Sequence, residues 1–172
     1  ENKEITKVVT VLDTPPMNVL ALRLYRSLRE HKELVTEAWA SNIPTDLSRK
    51  LTVPETIDHK KKLVEIEKLL GKDGDFEVRV LVSTQPRLTK IKKMPDVMEY
   101  QVGGNSVKEQ FDYVKEKLGK ELSVKDVFSD GDYIDVSAIT KGKGTQGFVK
   151  RWGVSIQNRK TRQSRRHVGS VG

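Results

Sequence analysis

The sequence predicts a mainly β protein, built as a small β-barrel with a helical insertion and followed by a basic extended arm. Short stretches rich in β-branched residues recur along the chain and are interrupted by two helical patterns. They do not alternate regularly with crossover helices, which argues against a doubly wound parallel sheet. We therefore predict a body at residues 1–140, with the insertion at about 41–120, and an arm at residues 141–172.

The predicted strands are short and bounded by turn residues. In residues 76–83, Phe76, Val78, Val80 and Val82 alternate with other side chains, as in a strand whose faces differ. Two prolines, Pro15 and Pro16, end the first strand because neither can donate a ladder hydrogen bond. The predicted strands of the body are residues 5–12, 19–25, 34–39, 76–83, 97–102 and 132–139.

Two segments have the apolar spacing of amphipathic helices. Residues 57–70 place Leu63, Ile66 and Leu70 on one face, and glycines follow them. The second helix is predicted to begin at Ser106, with Glu109 completing a capping box, and to end near residue 119. Residues 41–55 are expected to form a connector, and residues 126–131 a turn.

The excess positive charge lies at one end of the chain. The net charge is +8, from 32 Lys and Arg against 24 Asp and Glu, and the isoelectric point is about 9.6. Residues 1–135 hold 23 basic and 24 acidic residues, whereas residues 136–172 hold nine basic residues and no acid. Like charges at this density repel one another, so a polyanion is the natural partner.

The arm combines these cations with glycines and aromatic residues. Glycines beside Lys143 let the backbone approach a phosphate closely, and Phe148 and Trp152 add apolar surface. This combination is typical of nucleic-acid binding, although a solvated basic tail is the alternative. Residues 148–153 are expected to be a strand, which leaves Trp152 either in the barrel core or packed against RNA. The candidate binding residues are Lys141, Lys143, Lys150, Arg151, Trp152, Arg159, Lys160, Arg162, Arg165, Arg166 and His167.

A second, smaller basic patch is predicted on a loop at residues 86–95. Lys90, Lys92 and Lys93 are candidate RNA contacts there, and a simply solvated loop is the alternative.

The motifs of other protein classes are incomplete. Residues 142–147 match G-x-G-x-x-G, but a dinucleotide site also needs a helix directly afterwards and an acid about 20 residues on. The acidic turn from Asp130 lacks the glycine and glutamate of a calcium loop. The three histidines, His31, His59 and His167, lack ligand spacing, and cysteine is absent. We expect no catalytic residue, no metal site, no cofactor and no small-molecule substrate.

The chain also lacks an apolar run near the roughly 18 residues that a membrane-spanning helix needs. No secretory signal pattern is visible at its beginning, and the absence of cysteine favours a reducing compartment. We therefore expect a cytoplasmic protein with no membrane partner.

Three motifs in register resemble the archaeal branch of the large-subunit ribosomal protein L-three family. They are Asp13-Thr-Pro-Pro-Met17, Lys93-Met-Pro-Asp-Val-Met-Glu99 with the following glycines, and Lys141-Gly-Lys-Gly-Thr-Gln-Gly with Val149-Lys-Arg-Trp-Gly153. The resemblance covers residues 5–172, and the last motif is the most specific. The family's pattern continues before residue 1 and beyond residue 172, so the chain resembles a fragment of a family member.

This resemblance implies a translation-type β-barrel seated on large-subunit rRNA beside other large-subunit ribosomal proteins. It also implies an early role in subunit assembly and a basic extension that reaches toward the peptidyl transferase centre. Residues 141–172 would then be the outgoing limb of that extension, and the protein would be structural rather than an enzyme. The alternative from another class is a stand-alone RNA- or DNA-binding regulatory module.

Overall fold

The structure, a computed structural model, divides the chain into two compact units, Glu1–Asp130 and Gly131–Gly172, each described here by itself. The residues that it describes are 4–54, 58–71, 74–162 and 164–170.

Within its described residues, the first unit contains a five-stranded antiparallel sheet and three helices. The strands are β1 (Met17–Ser27), β2 (Lys32–Trp39), β3 (Phe76–Ser83), β4 (Val97–Gln101) and β5 (Glu121–Leu122). The helices are α1 (His59–Leu70), α2 (Pro86–Thr89) and α3 (Val107–Lys117), with 3-10 turns at Thr45–Arg49 and Val124–Asp126. The second unit contains one short helix, α4 (Phe148–Trp152), within its described residues.

Strand β1 lies at the centre of the sheet because both of its edges are paired. It runs antiparallel to β2 on one edge and to β3 on the other, and its first residues, Met17 and Asn18, pair with β5. Strand β4 adds to the far edge of β3, which gives the order β2-β1-β3-β4. Among the described residues this path ends at β2 and β4 and does not close, so the predicted barrel stays a prediction.

One face of the sheet is covered by two helices. Leu22 and Leu24 of β1 are fully buried there together with Ile66 of α1 and Phe111 of α3. Ile66 is the single buried residue of α1, and Leu63 and Leu70 pack beside the same cluster, as their spacing predicts. Ser106 is the N-cap of α3, and its hydroxyl accepts a hydrogen bond from the Glu109 amide at 3.3 Å.

The opposite face is apolar at one end and charged at the other. At the apolar end, Ala21, Trp39 and Leu81 pack against Leu47, which the Thr45–Arg49 turn inserts with 1% of its surface exposed. At the charged end, Arg23 donates to Glu37 at 3.1 Å and to Glu99 at 2.8 Å. These pairs link β2, β1 and β4 by side chains as well as by the backbone.

Two further sets of contacts extend the ion network formed by Arg23, Glu37 and Glu99. The Tyr25 hydroxyl donates to Glu99 at 3.1 Å, and the Arg79 guanidinium lies 5.0 Å from the Tyr25 ring centroid. Glu77, with 10% of its side chain exposed, accepts from Arg79 at 2.6 Å and also from Lys32. Burial and the hydrogen bond to Glu99 raise the pKa of Tyr25. The network therefore pairs the charged side chains that are partly buried on this face of the sheet.

Most predicted elements of the first unit are confirmed. Strands cover the predicted stretches 19–25, 34–39, 76–83 and nearly all of 97–102. Both helices are present, although residue 57 and the end of the predicted connector at residue 55 lie outside the described residues. The loop prediction for residues 86–95 was wrong in part, since α2 occupies its first four residues.

Three strand predictions are wrong. Residues 5–12 and 132–139 form no strand, and apolar side chains in both stay exposed, such as Val8 at 103% and Tyr133 at 104%. A β-branched sequence becomes a strand only where a neighbouring strand supplies ladder partners, which the described residues do not provide here. Residues 148–152 form α4 instead, and Gly153 at φ 67° ends this helical turn.

We predict that α1 is held to the sheet mainly through Ile66. Ile66→Ala should lower the free energy of unfolding by about 2–5 kcal/mol, because it removes buried methyl groups and leaves a cavity. Urea denaturation followed by circular dichroism measures this. Val64→Ala is the matched control on the same helix, since Val64 is 49% exposed, and it should change stability by about 0.5 kcal/mol or less. Equal losses from the two variants would contradict the packing of α1.

We also predict that Glu77 makes the fold acid-sensitive. The hydrogen bond from Lys32 lowers the pKa of Glu77 below 4.5, against desolvation that raises it, and Arg79 lowers it further. Because folding lowers this pKa, the ionised Glu77 carboxylate stabilises the folded state. That stabilisation is present above pH 4.5 and is lost as the pH falls below that value.

Glu77→Gln should therefore reduce the fall in the free energy of unfolding between about pH 6 and about pH 3. Denaturation curves at several pH values test this. Glu33→Gln is the control, because Glu33 is an exposed residue of β2. This variant should keep the parent dependence of stability on pH. An unchanged profile in Glu77→Gln would refute the prediction.

Candidate nucleic-acid interface

Among the described residues, the cations of the second unit form no ion pair with a carboxylate. The ion pairs involving Lys and Arg begin at Arg23 and end at Asp126, and they use acids of the first unit. Within the described part of the chain, none of the nine basic side chains from Lys141 onward pairs with a carboxylate. Their positive electrostatic potential therefore extends into solvent, where it can attract an external anion.

The glycine-rich loop and α4 form a shallow basic depression. Gly147 caps α4 at its beginning, so Lys150 and Arg151 follow the loop within one helical turn. Gly144 has φ +65°, which favours glycine, and a Cβ there would meet no atom within 4 Å. Lys143, Gly144, Thr145, Gln146, Lys150 and Arg151 line the depression. The structure thus brings together three of the predicted binding cations.

Trp152 is on the surface and not in the core. Its side chain is 76% exposed, and the Arg151 guanidinium carbon lies 5.8 Å from its ring centroid. Of the two roles left open by the sequence, this position excludes core packing within the described residues. An exposed indole beside a guanidinium offers a face on which a base or ribose can stack.

The remaining cations of the second unit lie around a closed loop. The Gln157 amide donates to the Arg165 carbonyl at 3.1 Å, and Arg165 Nε donates back to the Gln157 carbonyl at 3.3 Å. Asn158 shapes the turn by accepting from the Lys160 amide at 3.2 Å. Arg159, Lys160, Arg162, Arg165 and Arg166 are exposed on this loop, and His167 Nδ1 donates to the Ser164 carbonyl. Lys141 is exposed before the loop of residues 142–147.

The three lysines of the second predicted patch are exposed, but their surroundings differ. Lys90 ends α2 with φ 56°, and Lys92 pairs with Asp96. Arg49, which sequence reasoning did not single out, lines the same depression as Lys90 and Lys93. No local pattern predicts this proximity, because Arg49 and Lys90 are distant in the chain.

Other classes of site find no support among the described residues. No helix in the described ranges is long and apolar enough to cross a membrane. No group of three or more His, Cys, Asp or Glu side chains there is arranged to hold a metal ion.

The comparisons with known proteins converge on one family. The family model described as "Ribosomal protein L3" matches residues 1–172, the whole chain. The chain belongs to the ribosomal protein L3 family. This confirms the resemblance carried by the three motifs, the last of which includes the Gly142–Gly147 loop and α4.

Archaeal members of the ribosomal protein L3 family match the chain along its length. Large ribosomal subunit protein uL3 of Methanopyrus kandleri is 50% identical over 177 residues, covering 100% of this chain and 48% of that protein. The uL3 proteins of Methanocaldococcus jannaschii and Pyrobaculum calidifontis are 44% and 49% identical, and each match covers 99% of this chain. The chain spans about half the length of these curated relatives.

We predict that the loop of residues 142–147 does not act as a dinucleotide or ATP site. It is preceded by an irregular segment and followed by only five helical residues, whereas such sites need a strand before the loop and a longer helix after it. Isothermal titration with NAD or ATP should show at most weak heat that disappears at high salt, as expected for charge attraction alone. Tight binding to the parent chain that Gly144→Ala abolishes would contradict this prediction.

Proposed function

We propose that this chain is part of a structural protein of the large ribosomal subunit and binds ribosomal RNA through the arm, residues 141–172. The observation that carries the proposal is the match of the whole chain to the ribosomal protein L3 family. The unpaired cations of the arm supply the chemistry, since RNA is the polyanion of the ribosome. The role is assembly and support in the cytoplasm rather than catalysis.

Phosphate neutralisation is the proposed mechanism. RNA segments repel one another as they pack, and Lys and Arg side chains placed between them reduce that repulsion. Arginine can bridge two phosphates with its planar guanidinium, whereas lysine acts as a point charge. The exposed cations at Arg159, Lys160 and Arg162 suit this role because no carboxylate in the described residues competes for them.

The arm also offers contacts that do not depend on charge. Gly144 and Gly153 adopt positive φ, which lets the backbone turn tightly between RNA surfaces. Trp152 provides an exposed ring for stacking. We assign RNA contact to all the candidate residues of the arm.

The first unit serves in this proposal as the rigid base of the arm. Its antiparallel sheet is proposed to be part of a translation-type barrel that closes in the longer protein. The extension is proposed to reach toward the peptidyl transferase centre, beside neighbouring large-subunit proteins. A stand-alone regulatory module is the less favoured alternative, because the family match covers the whole chain.

We predict that the affinity for large-subunit rRNA falls steeply with salt. For about six phosphate contacts, log K should fall by roughly 5 per tenfold increase in salt, taking the B-DNA slope as a guide. Arg165→Ala with Arg166→Ala should reduce this slope by roughly two, because each lost contact removes about one unit. Filter binding of an rRNA transcript at four salt concentrations measures it.

Two controls separate charge from structure. Arg166→Ala alone should reduce the slope by about one, and it avoids the loop contact that Arg165 makes with Gln157. Trp152→Ala should weaken binding without changing the slope, because it removes no charge. A flat salt dependence, or a preference for one short sequence that is lost with Arg165 and Arg166, would refute phosphate neutralisation and favour the regulatory module.

A further inference from the structure

A second basic surface lies on the first unit, apart in sequence from the arm. We define the Arg49 groove as the depression lined by Arg49, Arg87, Lys90, Ile91, Lys92 and Lys93. Arg49 ends the Thr45–Arg49 turn, and the other residues belong to α2 and the loop that follows it. Two separate segments therefore supply its cations.

The groove is held together by contacts beneath it. Arg87 Nη2 donates to Asp46 Oδ1, so an ion pair joins α2 to the Thr45–Arg49 turn, and the Asp46 side chain is only 19% exposed. At the base of the loop, the Thr84 amide donates to the Asp96 carbonyl at 2.9 Å, and the Asp96 amide donates to the Thr84 hydroxyl at 2.9 Å. The loop is closed at its base and fixed against the turn.

The same contacts divide the cations of the groove into two groups. Arg87 pairs with Asp46 and Lys92 pairs with Asp96, so the charge of each is balanced within the protein. Arg49, Lys90 and Lys93 pair with no carboxylate in the described part of the chain, and all three are exposed. The groove thus presents three uncompensated positive charges on a backbone that is already ordered.

We propose that Arg49, Lys90 and Lys93 form a second binding site for RNA phosphates, on the body of the protein. Arg87 and Asp46 are positioning residues in this site. Lys92 is structural because it already forms an ion pair with Asp96. The inference rests on the proposed function, and it adds Arg49 while removing Lys92 from the predicted contacts.

RNA fits this groove better than an acidic peptide does. A nucleic-acid backbone offers phosphates at regular intervals, so several cations on a fixed frame can be engaged at once. Ile91 lies among the cations with 82% of its side chain exposed, and it offers an apolar contact to a ribose. The arm of the same chain attracts the same polyanion, so one RNA partner accounts for both surfaces.

The test compares two sets of three substitutions in the full chain. Arg49→Gln, Lys90→Gln and Lys93→Gln together should lower the salt slope for a large-subunit rRNA transcript by roughly two to three units. The matched control is Lys60→Gln, Lys68→Gln and Lys108→Gln, which removes the same charge from exposed positions of α1 and α3. The control should change the slope by less than about one unit.

The outcomes separate this site from the arm. If Arg166→Ala lowers the slope and the groove variant does not, the groove proposal is wrong and the arm remains the binding site. If the control lowers the slope as much as the groove variant, the effect comes from the loss of net positive charge. The groove proposal then also fails. If neither Arg166→Ala nor the groove variant has an effect, the proposed function itself is wrong.

Three further measurements complete the test. Circular dichroism of the groove variant should match that of the parent chain, because the substituted side chains are exposed. Lys92→Gln alone should lower the slope less than Lys90→Gln alone, and equal effects would overturn the division of the cations. Loss of binding to polyglutamate, with rRNA binding unchanged, would assign the groove to an acidic protein partner and overturn the RNA proposal.

Discussion

Backbone pairing along both edges of β1 is the constraint on which the first unit depends. Strands β2, β3 and β5 all align to it, and β4 is positioned through β3. Because adjacent residues of a strand point to opposite faces, Ala21 and Leu22 bring β1 into both apolar clusters. Residues from α1, α3 and the Thr45–Arg49 turn are consequently ordered around a single strand, which also places Arg49 beside the loop after α2.

Charge is handled differently in the two units. In the first unit, carboxylates such as Glu77, Glu99 and Asp46 each meet a basic side chain, so its charges are largely balanced internally. In the second unit, the cations have no such partners within the described residues, and compensation must come from outside. The Arg49 groove is one place in the first unit where cations outnumber their partners, because the turn and the loop contribute more cations than their two acids neutralise.

Sequence reasoning succeeds where local pattern and tertiary setting agree. Alternation in residues 76–83 and the spacing of α1 both follow from one buried face, and Ser106 caps α3 through its own side chain. It fails where β propensity finds no partner, as in residues 5–12, because pairing is not a property of the segment alone. Gly147 and Gly153 bound α4 in the structure, whereas Phe148, Val149 and Trp152 between them favour a strand by their sequence.

The same limit applies to binding residues. The density of cations after Lys141 is visible in the sequence, so the arm could be identified as a candidate interface without coordinates. The proximity of Arg49 to Lys90 and Lys93 depends on the fold bringing a turn against a distant loop. The ion pair of Lys92 with Asp96 is likewise known only from the structure, because the sequence leaves Lys92 several possible partners.

The exposed segment at residues 5–12 has a consequence for handling the chain in solution. Ile5, Val8, Val9 and Val11 are each at least 75% exposed in a segment of high β propensity. Such segments tend to pair between molecules and start aggregation, and Pro15 and Pro16 act as gatekeepers that stop this pairing from running into β1. Concentrated preparations should therefore self-associate through residues 5–12 while the sheet stays folded. Added charge in that segment should keep the chain monomeric.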